Sequence, residues 1–389
     1  MMRLKLFRKS LRKILLILFI TVLYIFFLDQ WNTVPKSIGN NSLGYYQLDT
    51  DSTQKSITHK QTVKPVNVIL IASWRSGSSF TGQLFNMHDD IFYLFEPLRF
   101  LGQEKVKQAE TTKVLETMYK CDFTNSLLNT WIEETNNDIL HRVSSNALIK
   151  LCPTEITQGA KPGPCNRRKF KQCPDLTPEN VTQTCQSHPY KFFKVIKLTD
   201  ITFLEKLVRK YNLKIIHLVR DPRGIHFSRK NTFDERYVMS NKLFGMHWTC
   251  RHVNEIIKLW DSETKWLLGN YKRVRFEDLS LQPMEAAREV YDFLQIPFTQ
   301  RIQQWIVENT IRKNQTQSNP CEHKNHKLNK KSSDVAHAWR MYSNLSTVLE
   351  IQKTCAETMQ SLGYVNVYTE QQLQDVHFPV MKSREEIGV

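Results

Sequence analysis

Five short apolar runs punctuate the chain after residue 65 and predict the strands of one sheet. They are Val66–Ser73, Phe92–Phe95, Lys191–Leu198, Leu213–Val219 and Arg273–Phe276. Several are almost continuously apolar rather than alternating, which is typical of strands that are covered on both faces.

Apolar residues at three- and four-residue spacing lie between these runs and predict helices over Ser79–Met87, Ile201–Tyr211 and Met246–Leu268. The stripe in the last helix indicates a packed structural element. Strands that alternate with helices predict an α/β fold, here a P-loop-like three-layer domain with a mainly parallel central sheet. Ligands of such sheets bind outside the carboxyl ends of the strands.

The N-terminus predicts a single transmembrane helix in front of this domain. Six basic residues in 1–13 precede the uncharged apolar run Ile14–Leu28. A cleaved signal peptide is disfavoured, because residues 26–31 at the end of this run are mostly bulky, whereas a cleavage site needs small residues. The prediction is a cytosolic tail (1–13), a signal anchor (14–31), a lumenal stem (32–64) and a lumenal catalytic domain (65–389).

Eight cysteines follow the predicted anchor, on the side of the membrane where disulfide bonds persist. They are Cys121, Cys152, Cys165, Cys173, Cys185, Cys250, Cys321 and Cys355. The even number fits complete pairing in an unknown connectivity, and the four between residues 152 and 185 indicate a stapled, loop-rich insertion. A zinc site at Cys321, His323 and His326 is the weaker hypothesis, because an oxidising compartment disfavours it, and no metal is expected.

Lumenal exposure also makes the Asn-x-Ser/Thr sequons meaningful as acceptors of N-linked glycans. The predicted glycosylation sites are Asn40, Asn180, Asn314 and Asn344.

The net charge of +16 favours acidic partners, and only +6 of it comes from residues 1–13. Nucleic acid is excluded as a partner by the lumenal location. Acidic glycans and an anionic nucleotide are the remaining candidates.

The first candidate site is the loop SWRSGSSF that follows the first predicted strand. It is not a Walker A loop, because it has one glycine and an arginine where that motif has two glycines and a lysine. Gly77 allows close approach of the backbone, Arg75 can bind two oxygens of a phosphate or sulfate, and the start of the next helix supplies N–H groups. An ordinary serine-rich turn is the alternative.

The second candidate site follows the strand Leu213–Val219. Arg220 stands at the strand tip, and Ser228 lies about two helical turns into a helix that starts at Pro222. These two side chains can converge on one phosphate. Asp221 is interpreted differently, as a helix cap that pairs with Arg223 or Arg229.

Together these stretches resemble the Golgi carbohydrate sulfotransferases, more narrowly the branch that sulfates the 6-hydroxyl of N-acetylglucosamine, galactose or N-acetylgalactosamine. The resemblance rests on SWRSGSS, on VRDPR followed by SR, on VRFEDL (274–279), on HAWR (337–340) and on LGY (362–364). It runs in order from about Val66 to near Glu370 and agrees with the anchor topology.

The resemblance implies the sulfate donor 3′-phosphoadenosine 5′-phosphosulfate (PAPS) and its binding residues. The 5′-phosphosulfate site corresponds to Ala72, Ser73, Trp74, Arg75, Ser76, Gly77, Ser78, Ser79 and Phe80. The 3′-phosphate site corresponds to Arg220, Asp221, Pro222, Arg223, Gly224, Ile225, His226, Phe227 and Ser228, with Arg220 and Ser228 as its principal contacts.

Sulfuryl transfer needs positioning, charge stabilisation and a base for the acceptor hydroxyl. Arg75 stands where many sulfotransferases have a lysine, so it is the candidate for stabilising charge on the bridging oxygen, although it cannot donate a proton. Glu96 is the candidate base, because related enzymes use a glutamate at a comparable place. Its alternative role is to cap a turn or to pair with an arginine.

Residues near the other motifs are interpreted as follows. Arg340 beside Trp339 is a candidate clamp for a sugar carboxylate or ring, with a core tryptophan as the alternative. Glu277 and Asp278 are predicted to hold a loop through hydrogen bonds. The basic segment 324–331 favours a solvated loop over a glycan-binding rim.

The resemblance therefore implies a Golgi membrane enzyme that transfers sulfate from PAPS to the 6-hydroxyl of a GlcNAc or Gal residue in a glycoprotein or keratan-type glycan. The alternatives are 6-O-sulfation of GalNAc in chondroitin and a non-catalytic glycan-binding protein. A glycosyltransferase is disfavoured because residues 65–389 lack a D-x-D motif. Residues 101–190 are the expected place for acceptor specificity, and association into a homodimer is left open.

Overall fold

A computed structural model describes residues 65–102, 108–158, 167–196, 198, 200–232, 245–262, 264–310 and 332–387. Within these ranges the central element is a five-stranded sheet in which every neighbouring pair of strands is parallel. The strands are β1 (Val66–Ala72), β2 (Ile91–Phe95), β3 (Tyr190–Ile196), β4 (Leu213–Val219) and β5 (Tyr271–Arg275). Their order across the sheet is β2-β3-β1-β4-β5.

All five predicted strands are present, and their ends differ from the prediction by at most two residues. The observed sheet is parallel, which confirms the prediction of a mainly parallel sheet. The carboxyl ends of β1 and β4 are neighbours, so the two candidate loops leave the sheet side by side.

Helices cover both faces of the sheet. In chain order they are α1 (Ser78–Asn86), α2 (Gln108–Tyr119), α3 (Asn129–Asn137), α4 (Ile139–Val143), α5 (Asn146–Ile149), α6 (Thr154–Thr157), α7 (Arg167–Phe170), α8 (Pro178–Ser187), α9 (Glu205–Tyr211), α10 (Pro222–Lys230), α11 (Met246–Asp261), α12 (Phe276–Leu281), α13 (Pro283–Leu294), α14 (Gln300–Thr310), α15 (Ser332–His337), α16 (Trp339–Tyr342), α17 (Leu345–Thr354), α18 (Ala356–Ser361) and α19 (Glu370–Gln374). Short 3₁₀ turns lie at Arg99–Leu101, Ser126–Leu128, Thr202–Leu204 and Glu385–Ile387.

The alternation of side chains along β1 divides the core in two. Ile69 and Ile71 pack with α2, α3 and α9, whereas Val68 and Leu70 pack with α1, α13 and α14 on the other face. Because both faces are buried, the strand is apolar throughout, which explains the continuous run in the sequence.

One predicted helix ends early. α11 ends at Asp261 rather than Leu268, because the hydroxyls of Ser262 and Thr264 both donate to the Leu259 carbonyl oxygen, each at 2.8 Å. Side-chain hydroxyls that bond to a helix carbonyl in this way compete with continuation of the helix. Leu267 is still buried in the core, but from the turn that follows.

Three disulfide bonds lie within the described residues: Cys121–Cys185, Cys152–Cys173 and Cys250–Cys355. Cys165 and Cys321 lie outside them. The predicted insertion is thus stapled by one short internal bridge, while Cys185 is tied back to the end of α2. The chain from Ile139 to Ser187 forms a succession of short helices, α4 to α8.

Several predictions fall on residues outside the described ranges: the anchor, the stem, Asn40, Asn314 and the Cys321 trio. No helix in the described part of the chain is both long and apolar enough to cross a membrane. Of the two sequons within it, Asn344 is exposed and Asn180 is half-buried. Glycosylation of all four stays a prediction.

Candidate active site

The loop after β1 is shaped by one close contact. Gly77 has φ +94°, and a Cβ on it would come within 2.1 Å of Phe276 Cδ2, so no larger residue fits without displacing that ring. The Ser76 hydroxyl is buried and donates to the Ser73 carbonyl oxygen at 2.6 Å, which closes the turn. The loop is therefore a rigid cradle, and α1 begins directly after it with its N–H groups at the same edge of the sheet.

A side-chain bridge joins this loop to the second one. Arg75 has φ +67° and its Nε donates to Ser228 Oγ at 3.0 Å. Arg75 and Ser228 were predicted to act on one nucleotide, and the fold brings them into contact.

Two arginines of the second loop hold the backbone of the first. Arg220 Nη1 donates to the Arg75 carbonyl oxygen at 3.1 Å, and Arg229 Nη2 donates to the Trp74 carbonyl oxygen at 3.1 Å. The Arg220 guanidinium also lies 4.3 Å from the centre of the Phe276 ring. Phe276 therefore touches both loops, a role that the sequence did not indicate.

The electrostatics of this pair of loops favour an anion. Arg220 is buried, and burial lowers the pKa of its guanidinium; burial and the neighbouring Arg220 charge lower the pKa of Arg75. Arg220 Nε is buried without a hydrogen-bond partner among the described residues. Buried polar groups normally have partners, so an acceptor from a bound anion fits here.

Other residues of the second loop make contacts within the protein, and their predicted binding of the 3′-phosphate stays a prediction. Asp221 caps α10 by accepting from the Arg223 N–H at 2.8 Å and pairs with the Arg223 side chain at 2.7 Å, which confirms its predicted capping role. Arg223 also donates to the carbonyl oxygens of Val365 and Val380. Its guanidinium is thus fully engaged within the protein. Pro222, Gly224, Ile225 and His226 are buried as well.

The candidate base Glu96 lies at the same edge of the sheet, directly after β2. β3 separates β2 from β1, so Glu96 is about 10 Å across the sheet from the end of β1. Its backbone has φ +49°, and its side chain is 17% exposed. Glu96 and Arg75 therefore follow two strands that end at the same edge of the sheet, with β3 between them.

Glu96 has a partner that sequence reasoning missed, Lys194 in the middle of β3. Lys194 Nζ lies 2.6 Å from Glu96 Oε1, and the Lys194 carbonyl oxygen accepts the Glu96 N–H at 2.8 Å. The Lys194 side chain is 1% exposed and its Nζ lies 3.8 Å from the centre of the Phe95 ring. Burial lowers the pKa of Lys194, and Glu96 opposes this effect. The sequence offered one signal for this partner: Lys194 is a charged residue within an otherwise apolar part of the predicted strand, FFKVI.

The motif VRFEDL holds the second loop in place, as predicted. Glu277 accepts from the Asp221 N–H at 3.1 Å and from the Tyr364 hydroxyl at 2.8 Å, and Asp278 pairs with Arg275 at 2.9 Å. Burial, and then the neighbouring Asp221 charge, raise the pKa of Glu277 to about 7.

The interpretation of Arg340 as a sugar clamp is wrong. Arg340 is 4% exposed, and its guanidinium donates to the backbone carbonyl oxygens of Gln372, Leu373, Asp375 and Phe378. Trp339 is buried against Arg223, which is the alternative given for it. These residues fasten the segment around α19 to the domain.

The fold and the paired loops define a class of protein, and comparison with known families agrees. A family model described as the sulfotransferase domain matches residues 65–363. The chain therefore belongs to the sulfotransferase family. The curated relatives to which it is similar are carbohydrate sulfotransferases.

Those relatives include mouse carbohydrate sulfotransferase 1, which is 29% identical over 83% of this chain and 85% of its own length. Carbohydrate sulfotransferase 3 of Tetronarce californica is 29% identical over 77% of this chain and 72% of its own. Mouse carbohydrate sulfotransferase 4 is 26% identical over 85% and 89%. All three of these relatives are named as sulfotransferases that act on carbohydrates.

Among solved structures, the chain is similar to the sulfotransferase domain of the Synechococcus PCC 7002 olefin synthase, with a TM-score of 0.40 and 16% identity over 75% of this chain and 94% of that one. It is also similar to retinol dehydratase in complex with retinol and PAP, with a TM-score of 0.37 and 13% identity over 77% and 82%.

Proposed function

We propose that the protein transfers sulfate from PAPS to the 6-hydroxyl of a GlcNAc or Gal residue on a glycoprotein or keratan-type glycan. The observation that carries the donor assignment is the contact of Arg75 with Ser228, beside a buried Arg220 that has an unpartnered Nε. Membership of the sulfotransferase family and similarity to carbohydrate sulfotransferases support the sugar acceptor. The 6-position follows the branch that the motifs resemble.

The residues fit PAPS in a definite orientation. The loop 72–80 and the start of α1 hold the 5′-phosphosulfate, because this cradle lies nearest to Glu96. Arg220 and Ser228 hold the 3′-phosphate. The residues of both loops thus supply guanidinium groups, hydroxyls and N–H groups to a ligand with several negative charges.

The donor supplies the sulfuryl group, which moves from a phosphate oxygen to the sugar oxygen as one S–O bond breaks and another forms. Glu96 accepts the proton of the attacking hydroxyl. Arg75 stabilises the charge left on the phosphate oxygen of the leaving nucleotide. Lys194 orients Glu96 through its carbonyl oxygen and its ammonium group, so that the carboxylate faces the substrate rather than rotating freely.

We further propose that the enzyme is a single-pass type II protein of the Golgi membrane with its catalytic domain in the lumen. The basic tail and apolar run of residues 1–31 support this topology. Protease protection of the catalytic domain in intact vesicles, with immunolocalisation, tests it.

The function is tested with the full chain in detergent, radiolabelled PAPS and a panel of glycans that end in GlcNAc, Gal or GalNAc. We expect label on carbon 6 of GlcNAc or Gal, lost in Arg220→Ala and Glu96→Gln. Label on GalNAc alone would move the acceptor to chondroitin. Donor binding without any transfer would contradict the enzymatic role.

A further inference from the structure

The loop after β4, which carries Arg220, lies beside the start of α12. The residues of the two segments stay opposite each other in the same order as in the neighbouring strands β4 and β5. Val219 lies opposite Arg275 in the sheet. In the next two positions, the Arg220 guanidinium lies over the Phe276 ring, and the Asp221 N–H donates to Glu277 Oε1 at 3.1 Å. A buried carboxyl group thus stands directly behind the arginine assigned to the 3′-phosphate.

Glu277 is 1% exposed and is surrounded by groups that fix its position. Its second oxygen accepts from the Tyr364 hydroxyl at 2.8 Å, so both carboxyl oxygens are held. The charged and titratable groups that act on it are Arg220, Asp221 and Tyr364. Arg223 pairs with Asp221, and Arg275 pairs with Asp278 next to it in the chain. The helix α15, which packs against α12, carries Asp334 and His337, and His337 interacts with Asp221 and Arg223. Arg223 neutralises Asp221, and Arg275 neutralises Asp278, whereas Glu277 and Arg220 face each other without an ion-pair hydrogen bond among the described residues.

We propose that Glu277 is a positioning residue that balances the charge of Arg220 in the empty enzyme and takes up a proton when the 3′-phosphate binds. Without a ligand, the carboxylate offsets the charge of the buried guanidinium and leaves its Nε–H without a hydrogen-bond partner among the described residues. The arriving phosphate supplies that negative charge itself and disfavours a second anion behind the arginine. The inference rests on the donor site proposed above.

The protonation behaviour of Glu277 agrees with this role. Its pKa of about 7 places the group between its two forms near neutral pH, and an added negative charge raises the pKa further. By linkage, a site that gains a proton on binding holds its ligand less tightly as the pH rises through that range.

Calorimetry measures the proton directly. The full chain is titrated with adenosine 3′,5′-bisphosphate (PAP) at about pH 7 in two buffers of different ionisation enthalpy, alongside Glu277→Gln. If binding raises the pKa of Glu277 by about one unit, the wild type takes up roughly 0.4 proton more than the variant. The titration of PAP itself contributes equally to both proteins and cancels in the difference.

Three controls sharpen the result. Glu289→Gln removes a carboxylate that Arg384 and Lys272 neutralise, and should leave the uptake unchanged. Adenosine 5′-phosphate lacks the 3′-phosphate and should show no difference between wild type and Glu277→Gln. Tyr364→Phe removes a hydrogen bond that lowers the pKa of Glu277, so the uptake should peak at a higher pH, and this variant decides the question if Glu277→Gln does not fold.

Equal proton uptake by wild type and Glu277→Gln, with PAP binding weakened in Arg220→Ala, would overturn the role of Glu277 and leave the donor site intact. Failure of the wild type to bind PAP, or equal binding of PAP and adenosine 5′-phosphate, would overturn the donor site and this inference together.

Discussion

Arg75 and Ser228 are 153 residues apart in the chain and are joined by a hydrogen bond of 3.0 Å from Arg75 Nε to Ser228 Oγ. The bond links the loop after β1 to the second turn of α10. Each residue belongs to a different half of the proposed donor site. The two halves are therefore one structural unit before any nucleotide arrives, and the site is preorganised.

Replacing Ser228 tests this unit. In Ser228→Ala we expect the affinity for PAP to fall by about tenfold, because a hydrogen bond to a charged group is lost and Arg75 is less well held. Equilibrium titration measures the change. Ser187→Ala, on the exposed end of α8, is the matched control and should bind as the wild type does. Unchanged affinity in Ser228→Ala would place the 3′-phosphate elsewhere.

Gly77 should tolerate no side chain. Gly77→Ala combines a strained φ of +94° with a collision with Phe276, and we expect donor binding to be lost. Gly269→Ala has a similar φ of +68° but open space around it, so it should cost only about 1 kcal/mol of stability. Comparison of the two variants separates the effect of backbone strain, which both have, from the effect of the collision, which only Gly77→Ala has.

A double variant identifies the collision partner. If the Phe276 ring is the obstacle, Gly77→Ala with Phe276→Ala should lose less binding than the two single losses combined. Additive losses would instead assign the defect of Gly77→Ala to its backbone. PAP titration of the four proteins supplies the cycle.

Lys194 should matter for turnover rather than for donor binding. Lys194→Met keeps the length of the side chain and removes the charge beside Glu96, so we expect kcat to fall by about 100-fold, on the scale of losing an acid–base group. The affinity for PAP should change by less than about threefold, because the Lys194 ammonium group contacts Glu96 and Phe95, which lie outside both donor loops.

Lys214→Met is the control for Lys194, since Lys214 lies at the opposite end of the sheet and donates to the Gly269 carbonyl oxygen. It should leave kcat unchanged. A Lys194→Met protein with normal kcat would remove both Lys194 and Glu96 from the proposed chemistry.

Arg340 is expected to affect stability alone. A lysine cannot reach four carbonyl oxygens from one planar group, so Arg340→Lys should lower the melting temperature by several degrees. The KM for the glycan acceptor should not move, in contrast to the behaviour of a sugar clamp. Arg301→Lys, an exposed position, supplies the baseline for thermal melting.

The sheet and the two donor loops could be predicted because each leaves a local mark in the sequence. A strand buried on both faces is a run of apolar residues, and the loops at the carboxyl ends of β1 and β4 carry arginine, serine and glycine in short order. Adjacency of β1 and β4 then brings the marked residues together.

The residues that escaped prediction act through contacts distant in sequence. The role of Lys194 could not be predicted, because its partner Glu96 is 98 residues away in the sequence and is brought beside it only by the fold. Arg340 next to a tryptophan suggests sugar binding, but its acceptors are backbone carbonyl oxygens around residues 372–378, and carbonyl groups have no signature in a sequence. Phe276 was predicted only as the end of a strand, because its contact with Gly77 depends on the crossing of two loops.

The C-terminal segment around residues 380–382 packs back against Arg223 and Arg275, and this has a consequence for biosynthesis. Arg223 reaches the Val380 carbonyl oxygen and Arg275 reaches that of Lys382, so two buried guanidinium groups beside the second loop lack these acceptors until residue 382 has been translated and has docked. The site is therefore incomplete when all of its sequence motifs have been translated, because residues 380–382 are still missing. The nascent polypeptide should stay dependent on chaperones until that late segment is released. Premature termination near residue 375 should yield a protein that is degraded although every motif residue is present.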